Sequence, residues 1–160
     1  MSFHNDHEKW KDMADPENCP VCQAKPMPEG MIDIYELEHS WLNSEPVECM
    51  KWACHATAKY HGIELYHLTD SELLGLMRDI QFYAEALKNV TDCVKINYEI
   101  HGNTIPHLHV HLYPRTMDDP FPGQPIDYNQ KSGDIYDKGE YREFVGKMKV
   151  KLDRLTAVKK

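Results

Sequence analysis

The sequence predicts an α+β domain, an antiparallel sheet with one long helix packed on one face and a second helix at the C-terminus. Three observations carry this. Segments rich in β-branched and aromatic residues come in a run on either side of residues 68–90. That stretch repeats its apolar residues at helical spacing, and a second helical pattern starts near 138. Strands in a run with two helices fit an antiparallel sheet with its helices on one side.

In chain order, residues 1–18 are polar and are expected to be frayed or loosely docked. "MIDIYELEHSWLNS" (31–44) alternates apolar and polar residues and reads as a strand pair, and "KWACHATAKY" (51–60) as another strand. In "LTDSELLGLMRDIQFYAEALKNV" (68–90), Leu73, Met77, Ile80, Ala84 and Leu87 mark one helix face, with Thr69 and Glu72 as a capping box. "CVKINYEI" (93–100) reads as a strand, "HGNT" as a turn and "HLHVHLYP" (107–114) as the returning strand. A loop rich in Pro and Gly follows (115–129). From about 138 a helix carries Tyr141, Phe144, Met148, Leu152 and Leu155 on one side. This gives a polar extension (1–18), a domain over 19–125, and a C-terminal loop and helix (126–160) packed on that same domain. No internal repeat or low-complexity tract appears.

Composition narrows the function classes. A chain of 160 residues suffices for one well-buried core. The net charge of −8 and the lack of a basic stripe before the last helix argue against a broad nucleic-acid surface. A small phosphorylated ligand held by a few aimed groups stays compatible. No segment approaches the roughly 20 apolar residues of a membrane span, and the N-terminus "MSFHNDHEKWKDM" has no apolar core. Five cysteines, an odd number, speak against a disulfide framework. The expectation is a soluble cytoplasmic protein.

The chemistry concentrates in "HGNTIPHLHVHLYPR" (101–115). Alternation on a strand puts His107, His109 and His111 on one face and Leu108, Val110 and Leu112 on the other. The apolar row can pack under the long helix, leaving a chemical face opposite. Same-face neighbours lie about 6.5–7 Å apart, so all three imidazoles cannot comfortably share one metal. Histidine can serve as nucleophile, base or ligand near neutral pH.

"HLHVHLY" resembles the H-φ-H-φ-H-φ-φ signature (φ apolar) of the histidine triad, or HIT, family of nucleotide hydrolases and transferases. The likeness extends to "GNTIPHLHVHLYPR" and to "KYHGIELYHLTDSELLGL", and covers roughly residues 19–123. It implies that His109 attacks the α-phosphorus of a nucleotide and forms a covalent intermediate. It also implies that the backbone oxygen of His107 orients His109, and that His111 meets phosphoryl or bridging oxygens. Asn103 and Thr104 occupy phosphate-contacting positions; read alone, Gly-Asn-Thr is turn chemistry. Asn97 is similar to an upstream polar ligand, about one residue off in spacing, and Asn43 to a ribose contact. The sequence departs from the family at Ala53, where members often carry the His or Tyr of P-G-[HY]. His55, two residues on, would point to the same side.

Cys19 and Cys22, in "CPVC", have the C-x₂-C spacing of a zinc half-site. A thioredoxin-like pair is the competitor, but "QAKPMPEG" follows instead of a βαβ unit. The resemblance to zinc-bearing members implies that Cys19, Cys22, His61 and His107 hold a structural zinc, leaving His109 free. The expected function is a hydrolase that cleaves a dinucleoside polyphosphate or nucleoside phosphoramidate at the α-phosphorus. Its rivals are a nucleotidyl transferase or phosphorylase on the same fold and a non-catalytic nucleotide-binding module. The expected partner is a small-molecule nucleotide, with no membrane. Many members pair, so the resemblance also implies a homodimer.

Overall fold

In the computed structural model, which describes residues 2–23 and 30–159, five strands build one sheet. They are β1 (Ile32–Glu36), β2 (Ser40–Ser44), β3 (Cys54–Ala58), β4 (Lys95–Glu99) and β5 (His109–Arg115). Their spatial order is β1-β2-β3-β5-β4, and every neighbouring pair is antiparallel. The α+β prediction therefore holds. Most of the Pro-rich stretch after the cysteine pair lies outside the described residues.

Helix α2 (Asp70–Thr91) covers one face of the sheet, and α3 (Glu140–Lys159) packs against α2 and β1. At the start of α2, the Thr69 side chain accepts from the Glu72 backbone N–H, and Glu72 reaches back to Thr69, as the capping box predicts. Such a cap contributes about 1 kcal/mol. The buried residues of α2 include Leu76, Ile80, Tyr83 and Leu87, which lie over Leu42, Ala56, Val110 and Leu112 of the sheet. Cys54, Ala56 and Ala58 of β3 are small and fully buried, which lets the helix lie close. Each fully buried leucine there contributes roughly 1.5–3 kcal/mol.

The helical face differs in detail from the expected one. Met77 is 47 % exposed, whereas Leu76 and Tyr83 are sealed. Buried Asp79 explains the rotation, because it accepts hydrogen bonds from the His39 backbone N–H at 2.9 Å and the Ser40 hydroxyl at 2.8 Å. It thereby ties the β1–β2 turn to the helix. A Cβ at Gly75 would come within 2.5 Å of the His39 ring, so the glycine makes room for that turn. On α3, Phe144, Met148 and Leu152 are buried and Tyr141 and Leu155 half-buried, as their spacing predicts.

The polar N-terminus is not frayed. Residues His7–Met13 form α1, capped by Asp6. The Trp10 indole N–H donates to the Gly102 carbonyl oxygen at 2.9 Å, and the Phe3 N–H donates to the Asn103 oxygen at 2.9 Å. The extension docks on the loop between β4 and β5. That loop, residues 100–108, is longer than a tight hairpin turn, and Gly102 takes a positive φ of 68° within it. Strand β5 accordingly starts at His109, with His107 just before it.

The opposite face of the sheet carries the chemistry. A small apolar cluster sits there, formed by Cys49, Met50, Ala53, Tyr113 and Phe121. The Arg115 guanidinium holds the loop after β5 with two hydrogen bonds to Asp119.

Candidate active site

Strand register explains the site. Across the sheet Asp33 pairs with Asn43, Asn43 with His55, His55 with His111, and His111 with Glu99. One polar row thus crosses all five strands on the face away from α2. One step along, Thr57 stands opposite His109.

His109 is half-buried at the start of β5. Its Nδ1–H donates to the His107 carbonyl oxygen at 2.7 Å, the bond the family resemblance implied. This fixes the tautomer and leaves the Nε2 lone pair free. Burial, despite that bond, pushes the His109 pKa down to about 4, so the ring is neutral at pH 7. Among the described residues, only the Tyr141 hydroxyl is both sealed and unpartnered. His109 Nε2 has no protein partner and must therefore reach solvent. A neutral imidazole with an accessible lone pair is a competent nucleophile.

His111 is 3 % exposed, with its ring 5.0 Å from that of His109. Its Nδ1 lies 3.2 Å from the Tyr113 hydroxyl. In the tautomer whose Nδ1 accepts from the phenol, the imidazole proton sits on Nε2, where it can meet a phosphoryl oxygen. Burial, followed by the neighbouring His55 and His109, holds His111 well below the usual histidine range.

His107 takes a different role. Its ring is 1 % exposed, and its Nε2–H donates to the Ala58 carbonyl at 2.9 Å. Nδ1 is thereby bare and lies 3.4 Å from Cys19 Sγ and 3.6 Å from Cys22 Sγ. His61 repeats the device, with Nε2–H donating to the Ala14 carbonyl at 2.9 Å and Nδ1 3.2 Å from Cys22 Sγ. The donor atoms of all four residues lie within 4.8 Å of one another. Tetrahedral zinc with ordinary Zn–S and Zn–N bonds requires S···N edges of about 3.5 Å. Two thiols and two imidazoles with carbonyl-fixed tautomers fit that ion. Partial burial, and then the adjacent Cys19 thiol, raises the Cys22 pKa to about 11, so a cation is needed to hold its sulfur as a thiolate.

The remaining predicted residues are more dispersed. Asn43 is 2 % exposed; its amide donates to Asp33 and its carbonyl accepts from the Thr57 hydroxyl at 3.0 Å. Asn103 and Thr104 are exposed on the loop leading into the triad. Asn97 stands opposite Tyr113, two pairs beyond His111, and Glu99 occupies the position beside the triad.

The sequence offers His55 only as a same-side neighbour of Ala53, and other site residues escape it altogether. His55 lies edge-on to His111 at 4.6 Å, and its Nε2 meets the fully buried Glu48 carboxylate at 3.0 Å. His101 and Tyr128 approach His111 at ring distances of 5.0 and 5.8 Å. Tyr113 extends the alternation of the histidines and was legible from it. Glu48, His101 and Tyr128 come from segments outside the named strands, where no periodicity marks them.

This geometry can be set beside known proteins. The family model for the HIT domain matches residues 34–118, more than half of the chain. The chain belongs to the HIT family. Among solved structures, a histidine triad protein from Bradyrhizobium japonicum is 26 % identical, with a TM-score of 0.69 over 78 % of this chain and 92 % of its own. A Zn-bound histidine triad family protein from Mycobacterium smegmatis shares the fold at 18 % identity, with a TM-score of 0.64 over 90 % of this chain and 99 % of its own. No curated protein matches. The HIT match stops before Tyr128 and Lys131, so the segment that brings them to the triad lies outside it. Among the described residues no helix is long and apolar enough to cross a membrane.

Proposed function

We propose that this HIT protein is a nucleotide hydrolase that cleaves a nucleoside phosphate at the α-phosphorus through a covalent nucleotidyl-His109 intermediate. One observation carries the reading. The Nδ1–H of His109 is committed to the His107 carbonyl, which leaves an unpartnered, solvent-reaching Nε2 beside His111.

The Nε2 lone pair forms a bond to phosphorus while the bond to the leaving group breaks. Water then attacks the same phosphorus and returns the electron pair to His109. His111 Nε2–H donates to phosphoryl oxygen as negative charge develops. Asn103 and Thr104 contact further phosphate oxygens, and Asn43 contacts the ribose. Cys19, Cys22, His61 and His107 would hold zinc, which supplies a rigid tetrahedral tie at the end of the sheet and takes no part in bond breaking. Substrates of this class are dinucleoside polyphosphates and nucleoside phosphoramidates.

The test is a screen of both classes with the wild type and His109→Asn. Turnover that disappears in the variant supports the reading, and turnover that survives it refutes the nucleophile. Comparing products with and without added inorganic phosphate separates hydrolysis from nucleotidyl transfer.

A further inference from the structure

Glu48 is the feature that the triad leaves unexplained. It is a carboxylate with no exposed surface, on a loop between β2 and β3. Burial alone would push its pKa up, but the His55 ring, Lys131 and the Cys49 N–H outweigh that and hold it near 2. An ionised group so deep is costly unless its partners are well placed. They are: Oε1 accepts from His55 Nε2 at 3.0 Å and from Lys131 Nζ at 3.2 Å, and Oε2 accepts from the Cys49 N–H at 3.0 Å. Lys131 also donates to Glu45 at 2.7 Å. Although Glu45, Glu48 and His55 are close enough to chelate, the Lys131 ammonium bridges the two carboxylates, so this is not a metal site.

Two carboxylates and one ammonium leave a surplus negative charge. It complements the imidazolium that His55 becomes when it holds a second proton. With Nε2 committed to Glu48, the other nitrogen, Nδ1, has no protein partner and is not sealed from solvent. His55 stands directly across the β3–β5 ladder from His111, on the same face and 4.6 Å away ring to ring. His55, His111 and His109 therefore follow one another as neighbouring rings, 4.6 and 5.0 Å apart, and His55 Nδ1 and His109 Nε2 each lack a protein partner. Ala53, two residues before His55, is buried in the small apolar cluster and offers no such group.

We propose that His55 is a further catalytic residue of this site, the proton donor to the leaving group, with Glu48 as its positioning residue. The proposal rests on the hydrolase reading above. As His109 Nε2 bonds to phosphorus, the electron pair of the breaking bond takes the proton from His55 Nδ1. In the second half, the attacking water gives its proton to His55 Nδ1 while the N–P bond breaks back to His109. His55 ends each cycle in its starting state. Substrates that leave as an amine or an alkoxide need this proton; those that leave as a stable phenolate do not. The site is thereby suited to poor leaving groups, nucleoside phosphoramidates above all.

Leaving-group dependence tests this. Wild type, His55→Gln and Glu48→Gln are assayed on a nucleoside alkyl phosphoramidate and on the 4-nitrophenyl ester of the same nucleotide, with His109→Asn as control. The expected result is that His55→Gln loses at least about 100-fold more on the phosphoramidate than on the ester, within the usual range for general acid catalysis. Glu48→Gln shifts the ratio the same way by a smaller factor. Melting curves establish that each variant is folded, and if His55→Gln is not, the ratio for Glu48→Gln decides. Equal losses on both substrates in folded variants overturn the proton-donor role and leave the hydrolase reading intact. Wild-type turnover of neither substrate, or turnover that survives His109→Asn, overturns both.

Discussion

The His107 carbonyl oxygen accepts the Nδ1–H of His109 at 2.7 Å, while the side chain of the same His107 turns its own Nδ1 toward Cys19 and Cys22. One residue thus belongs to the cysteine–histidine cluster through its ring and is tied to His109 through its backbone. Zinc loss should therefore reach catalysis as well as stability. A chelator, or Cys22→Ser, is expected to remove one zinc per chain and lower the melting temperature by roughly 10 °C, as a few kcal/mol does for a chain of this size. Activity should fall in parallel as the His107 backbone loosens. Elemental analysis, melting curves and rates on the same samples check this, and an unmoved melting temperature would remove the metal assignment.

Acid should unfold the protein in two stages. His111 is neutral in the fold, but an unfolded histidine takes up a proton as the pH drops through about 6.5. Protons then favour the unfolded chain, so this contribution is complete above 6.5 and declines below it, by at most about 1.4 kcal/mol per pH unit. Glu48, held near 2 in the fold against 4.5 when free, adds stability that is present above 4.5 and is lost as the pH falls toward 2. Urea unfolding from pH 7.5 to 3 should show both stages, with His111→Gln making the upper one shallower while His109, also held down, keeps the rest. A flat profile between 6.5 and 5 in the wild type would contradict the buried neutral imidazole.

The N-terminal helix should matter to substrate binding. Trp10 and Phe3 hold the backbone of Gly102 and Asn103 from outside the loop that presents Asn103 and Thr104. Trp10→Ala should cost about 1–2 kcal/mol of stability and raise KM several-fold, with kcat nearly unchanged. Steady-state kinetics resolve this, and a loss confined to kcat would argue that the loop does not bind the substrate.

Much of this site is legible in the chain because it follows a strand period. His109, His111 and Tyr113 alternate with buried Val110 and Leu112, and the pattern needs no tertiary knowledge. Thr69 and Glu72 mark the start of α2 for a similarly local reason. What could not be read depends on pairing across the sheet or on loops. His55 becomes a neighbour of His111 only through the β3–β5 register, and Glu99 only through β4–β5. Glu48 and Lys131 are 83 residues apart, and nothing in either segment announces an ion pair. Helix α1 and its anchoring points were not read because the anchors are backbone carbonyls of a distant loop, and the rotation of α2 because buried Asp79 breaks the apolar pattern it serves.

The central claim is that His109 becomes covalently attached to a nucleotide. Rapid acid-free denaturation of the enzyme during turnover, followed by intact-mass and peptide mass spectrometry, measures this directly. The account predicts a species heavier by one nucleotidyl group, mapped to His109, formed within the first turnover and absent in His109→Asn. Steady turnover with no adduct at any time, together with a His109→Asn variant as active as wild type, would contradict it.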